Sequence, residues 1–106
     1  MYEDIFIQVR YKLLTRINSK DILLIEADGN YSKVTTTNNS YLVNATLTQI
    51  EADLPQDLFC RVHRAYIIPL SRIRDIDTDT VFIEDKQIPI ARQYRGNLFS
   101  RLKILR

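Results

Sequence analysis

The sequence predicts a mainly β fold with one short internal helix and one C-terminal helix. Three observations lead to it. Short apolar segments with two-residue alternation recur along most of the chain, separated by polar turn residues. Helical spacing of apolar residues occurs in only two places, near Leu47 and after Ala91. The 106 residues, 45% hydrophobic and 26% charged, have the composition of a globular chain and not of a disordered one, so residues 1–106 are expected to form a single domain.

The elements follow in order. Ile5, Ile7 and Val9 alternate with Phe6, Gln8 and Arg10, and a second run over residues 13–17 completes a hairpin after Tyr11 and Lys12. Asn18, Ser19, Lys20 and Asp21 form a polar break. The unbroken run Ile22, Leu23, Leu24, Ile25 reads as a strand buried on both faces. A turn follows at Ala27, Asp28, Gly29 and Asn30, where glycine and asparagine accept positive φ at little cost. Residues 31–37 alternate and are rich in β-branched types, and Asn38, Asn39 and Ser40 turn the chain into Tyr41, Leu42 and Val43.

The spacing then becomes helical. Leu47, Ile50 and Leu54 fall on one face, Thr46 with Gln49 matches a capping box, and Pro55 ends the helix. Residues 58–68 are apolar with embedded charge and end at Pro69, which favours strand or irregular structure over helix. Residues 73–77, 81–84 and 87–90 read as a three-strand meander, with Thr78, Asp79 and Thr80 at its first turn. From Ala91 onward, Tyr94, Leu98, Leu102 and Leu105 form the stripe of a terminal amphipathic helix. Gly96 costs that helix about 1 kcal/mol relative to alanine, which allows a break near Gly96 and Asn97.

Several function classes lack the residues they need. The apolar runs are far shorter than the roughly 20 residues of a membrane span, and the N-terminus lacks the basic start and cleavage site of a signal peptide, so a cytoplasmic location is expected. Cys60 is the single cysteine, too few for an intrachain disulfide, and with His63 alone it is too few for zinc; it reads as a buried thiol. Neither a nucleophile elbow nor a phosphate-cradling glycine loop is present, the chain having only two glycines, and Asp77 and Asp79 lie on a turn where acids serve local hydrogen bonding. No catalytic residue, cofactor or metal is expected.

The net charge of +2 conceals an asymmetry: residues 1–58 hold five basic and eight acidic residues, and residues 59–106 hold ten basic and five acidic ones. Eight of the ten are arginines, whose planar fork matches phosphate and guanine edges. Charge alone is equally served by a solvated basic face. An anionic partner is one reading, and a small β-rich protein-interaction module whose basic half binds an acidic protein is the alternative.

Three stretches resemble the LytTR-type DNA-binding domain, and the match runs from Ile5 to about Leu105. Asp21-Ile22-Leu23-Leu24-Ile25-Glu26-Ala27-Asp28-Gly29-Asn30-Tyr31 is similar to the family's D-I-x-x-I-E-A-x-G-N-Y. Residues 59–68, Phe-Cys-Arg-Val-His-Arg-Ala-Tyr-Ile-Ile, resemble F-x-R-V-H-R-S-Y-I-V, and residues 88–95 resemble I-P-I-S-R-x-Y. The resemblance implies an elongated fold of about ten short strands with short helices. It also implies sequence-specific binding of double-stranded DNA by the output domain of a bacterial response regulator, with loops entering successive major grooves and a receiver domain in the full-length protein.

Carried over by position, the resemblance assigns DNA contact to Ser32 and Lys33 after the Gly-Asn turn, to His63 and Arg64, and to Arg92, Gln93 and Arg95 at the start of the last helix. Lys33 suits phosphate; Arg64 or Arg92 suits guanine, and Gln93 suits adenine. Tyr31, Tyr66 and Tyr94 read instead as packing residues, and Arg61 as a structural ion-pair partner. Ala65 and Ala91 stand where the family usually has serine, and Pro69 where it has asparagine, so local caps are weakened there. Lacking a heptad zipper, the domain is expected to be a monomer in isolation that pairs on repeated DNA half-sites.

Overall fold

The computed structural model describes residues 2–106, which form ten strands and two α-helices. Strands β1 (Asp4–Arg10) and β2 (Leu13–Asn18) make a separate hairpin, with Lys12 at a φ of 59° in its tight turn. The central antiparallel sheet contains β3 (Ile22–Asp28), β4 (Tyr31–Thr36), β5 (Ser40–Val43), β6 (Phe59–His63) and β7 (Tyr66–Pro69), in the order β5-β4-β3-β7-β6. The meander β8 (Asp75–Ile76), β9 (Thr80–Ile83) and β10 (Lys86–Pro89) forms a third sheet. Helix α1 (Leu47–Asp53) joins β5 to β6, and α2 (Arg92–Ser100) follows β10. The molecule is elongated, 49 × 27 × 25 Å.

The middle of the central sheet, at β3, β7 and β6, is buried on both faces, as the run at residues 22–25 predicts, whereas β4 and β5 bury one face. Successive side chains of a strand point to opposite faces, so neighbours in sequence enter different cores. Ile25 and its register partner Ile67 join Ile7, Ile17, Val34, Leu47 and Phe59 beneath the β1-β2 hairpin and α1. Leu24, Cys60, Val62 and Ile68 pack on the other face against Val81, Ile83, Ile88 and Leu98. Each fully buried aliphatic side chain in these layers contributes about 1.5–3 kcal/mol relative to exposure. Val62, Ile68, Val81, Ile83 and Leu98 have no measurable exposure, so the second core depends on both the meander and α2 being in place.

Local signals account for several boundaries. Thr46 Oγ1 accepts from the Gln49 amide at 3.2 Å while Gln49 Oε1 accepts from the Thr46 amide at 2.8 Å, the reciprocal capping box read from sequence. Gly29, at a φ of 63°, supplies the left-handed residue of the β3-β4 turn, whereas Ala27 and Asp28 belong to β3.

Residues 58–68 form strands and not a helix, as expected, and the expected extent of the terminal helix is corrected. Residues 58–68 resolve into β6 and β7 joined by a tight turn at Arg64 and Ala65, because a register shift between Arg61 and His63 brings His63 opposite Tyr66. Helix α2 runs through Gly96 without a break and stops at Ser100, so Leu105 is 89% exposed and no apolar stripe continues to it. The stop has a tertiary cause: the Arg101 guanidinium donates to the carbonyls of Phe59, at 2.6 Å, and Gln56. The Arg101 and Leu102 amides turn back to the carbonyls of Leu98 and Phe99, closing the helix in a 3₁₀ turn.

Candidate nucleic-acid interface

Pairing across β4, β3, β7 and β6 sets Lys33, Glu26, Tyr66 and His63 in one transverse row: Lys33 opposes Glu26, Glu26 opposes Tyr66, and Tyr66 opposes His63. Directly opposed residues share a face, so these four side chains project together. Lys33 Nζ lies 3.9 Å from Glu26 Oε1, and the His63 and Tyr66 rings are 5.3 Å apart. The row ends at the β6-β7 turn, where Arg64 is exposed.

The turn is held from several sides. The Ala65 amide donates to His63 Nδ1 at 3.0 Å, which makes Nδ1 an acceptor and leaves Nε2 as the proton-bearing nitrogen of the neutral ring. The Ala65 carbonyl accepts from the Ala27 amide at 2.9 Å, tying the turn to β3. Arg61, expected to be a structural ion-pair partner, pairs with Glu51 of α1 at 3.0 Å and also donates to the carbonyls of His63 and Arg64.

Helix α2 begins beside this turn because the Ala91 amide donates to the Val62 carbonyl at 2.8 Å. Ala91 occupies the N-cap with no side-chain hydrogen bond, in line with the weakened cap read from sequence. Arg92 and Gln93 are exposed in the first helical turn, where backbone N–H groups and the helix dipole favour an anion. The side chains of Arg64 and Arg92 make no ion pair among the described residues.

The structure thus brings Lys33, His63, Arg64, Arg92 and Gln93 to one end of the central sheet. It does not place the other candidates there. Ser32 is a correction: it has no exposed surface, and its hydroxyl donates to the Ala45 carbonyl at 2.8 Å, so it has no access to a ligand. Its signal was in the strand itself, since Ser32, Val34 and Thr36 alternate on the buried face of β4. Arg95 is engaged by Asp79 of the β8-β9 turn at 3.0 Å and links α2 to the meander. Tyr31, expected to pack, is 44% exposed. Tyr66 packs as expected against the second core, and Asp77 Oδ1 accepts the amides of Asp79 and Thr80 in a turn-forming role. Glu26 carries no binding signal in the sequence, because its place between Lys33 and Tyr66 follows from sheet register.

Cys60 is buried, and burial pushes its thiol up from the ordinary range against the opposing influence of Arg101. Among the described residues no group of three or more His, Cys, Asp and Glu side chains is placed to hold a metal, and no helix is long and apolar enough to cross a membrane.

Comparison with known proteins adds four findings. The LytTr DNA-binding domain profile matches residues 12–103. The chain is 32% identical over 94 residues to the sensory transduction protein LytT of Bacillus subtilis, covering 83% of this chain and 39% of that protein. It is 27% identical over 96 residues to the heme-containing CO-sensing transcriptional regulator RcoM 1 of Paraburkholderia xenovorans, covering 84% of this chain and 36% of that protein. The chain therefore spans less than two fifths of the length of either relative. A solved LytTr DNA-binding domain of a methyl-accepting/DNA response regulator from Bacillus cereus superposes with a TM-score of 0.80 at 18% identity, covering 95% of this chain and 97% of that one, a likeness of fold.

Proposed function

This chain belongs to the LytTr DNA-binding domain family, and we propose that it binds double-stranded DNA sequence-specifically as the output domain of a bacterial two-component response regulator. The observation that carries the proposal is the bond from the Ala91 amide to the Val62 carbonyl, which sets the exposed Arg92 and Gln93 beside the exposed Arg64 of the β6-β7 turn. Two protruding readers on one end of a rigid sheet suit two separated major-groove contacts. Lys33 holds a phosphate, Arg64 and Arg92 fork to guanine, and Gln93 is the adenine reader. His63 offers Nε2–H to a phosphate oxygen or base edge.

In the full-length protein a receiver domain controls the output, and domains that are monomeric alone pair on repeated half-sites. The site of action is the cytoplasm. Selection of bound sequences from a random duplex pool, combined with salt titration, tests the reading. One recurrent consensus is expected, with affinity falling steeply with salt at about 0.9 log units per neutralised phosphate. Equal binding of selected and scrambled duplexes overturns it.

A further inference from the structure

We propose that Arg61 is a positioning residue that holds the His63-Arg64 turn in its reading geometry by locking it to helix α1. The inference rests on the DNA-binding reading for its functional half and on geometry alone for its structural half. The Arg61 side chain is only 12% exposed, so it is not itself offered to a ligand. All three of its nitrogens are engaged. Nη1 donates to Thr48 Oγ1 and Glu51 Oε1, each at 3.0 Å, which anchors the guanidinium on α1. Nε donates to the His63 carbonyl at 3.3 Å and Nη2 to the Arg64 carbonyl at 2.5 Å, which places both turn carbonyls on one rigid plane.

This arrangement needs arginine. A guanidinium presents five donors in a fixed fork, so α1 on one edge and the turn on the other are held at a set spacing. A lysine ammonium at the same position keeps the charge and can satisfy Glu51, but its compact three-donor head does not span both carbonyls as well. The backbone of Arg64 would then be tied only through Ala65, by His63 Nδ1 and the Ala27 amide. A reader that swings freely loses the orientation on which bidentate readout depends, while its charge still attracts phosphate.

The test compares wild type with Arg61→Lys in two measurements. Amide exchange, made without DNA, should show the Ala65 and Ala27 amides exchanging about tenfold faster or more, with α1 and both cores unchanged, as loss of charge-assisted bonds predicts. Duplex selection should show Arg61→Lys losing preference at the base pairs that Arg64→Ala relaxes, with the wild-type salt slope retained. Unchanged exchange in the turn overturns the proposal. So does an unchanged consensus accompanied by weaker binding, because Arg61 would then contribute affinity without orienting a reader.

If Arg61→Lys lowers global stability, the pair Thr48→Ala and Glu51→Gln removes the anchor and leaves Arg61 itself in place. The same shift in exchange and preference, smaller in size, is expected from the pair, and its absence overturns the locking role. A wild-type domain that selects no sequence refutes the DNA-binding reading, and the exchange measurement then still decides whether Arg61 fixes the turn.

Discussion

The Ala91 amide donates to the Val62 carbonyl at 2.8 Å, a bond across 29 residues of chain that joins the start of the terminal helix to strand β6. Val62 is itself without exposed surface and belongs to the core that Leu98 completes from α2. The helix N-terminus is thereby fixed at both its backbone and its buried face. Because Arg64 lies two residues beyond Val62 and Arg92 one beyond Ala91, the same bond sets the spacing between the two proposed readers.

Arg64→Ala and Arg92→Ala should relax different base pairs of the selected site, each by roughly 1–3 kcal/mol at its own position. Repeating the duplex selection with each variant measures this. Return of the wild-type consensus by both variants, with only uniform loss of affinity, would assign them to phosphate and move readout to Gln93 and His63.

Lys33→Ala should weaken all duplexes about equally and reduce the salt slope by about one unit. Glu26 Oε1 lies 3.9 Å from the ammonium, a partly exposed pair too weak to withdraw Lys33 from a phosphate. A changed consensus with the slope intact would show that Lys33 reads a base.

Ala91→Ser should stabilise the fold by about 1 kcal/mol, since the α2 N-cap has no side-chain hydrogen bond and a serine hydroxyl accepts from a free amide of the first turn. Urea denaturation reports the gain as a higher midpoint with the slope unchanged. A midpoint at or below that of wild type would mean the serine does not cap.

Leu98→Ala should cost about 2–5 kcal/mol, because a side chain with no exposure is removed from the core shared by α2, β6 and the meander. The same denaturation curve measures it. A loss under about 1 kcal/mol would show that the meander and β6 close over the vacancy.

The Cys60 thiol is raised by burial, with Arg101 acting the other way. Folding therefore favours the protonated thiol; this contribution is complete below the unfolded pKa and is lost as pH rises through the higher folded value. At about pH 8, where a free cysteine of pKa about 8.5 is partly thiolate, alkylation of the native protein should be far slower than alkylation of the urea-unfolded chain. Equal rates would place Cys60 at an accessible surface.

What the sequence determined by itself is whatever depends on neighbours a few residues apart. The Thr46-Gln49 capping box closes within one helical turn, and the alternation in β1 and β4 sets which side chains share a face before any partner strand is known. The same alternation held the information that Ser32 goes inside with Val34, against its assignment by family position. The resemblance of three stretches to the LytTR family singles out Lys33, Arg64 and Arg92 as proposed DNA contacts. The tertiary structure alone decided where α2 ends, since Arg101 is captured by carbonyls at positions 56 and 59, and whether Arg95 is free, since Asp79 holds it. It also decided that Arg61 grips both α1 and the turn that follows it. Periodicity records which face a residue occupies; the partner on that face is chosen by packing and register between segments tens of residues apart, where no local spacing carries the signal.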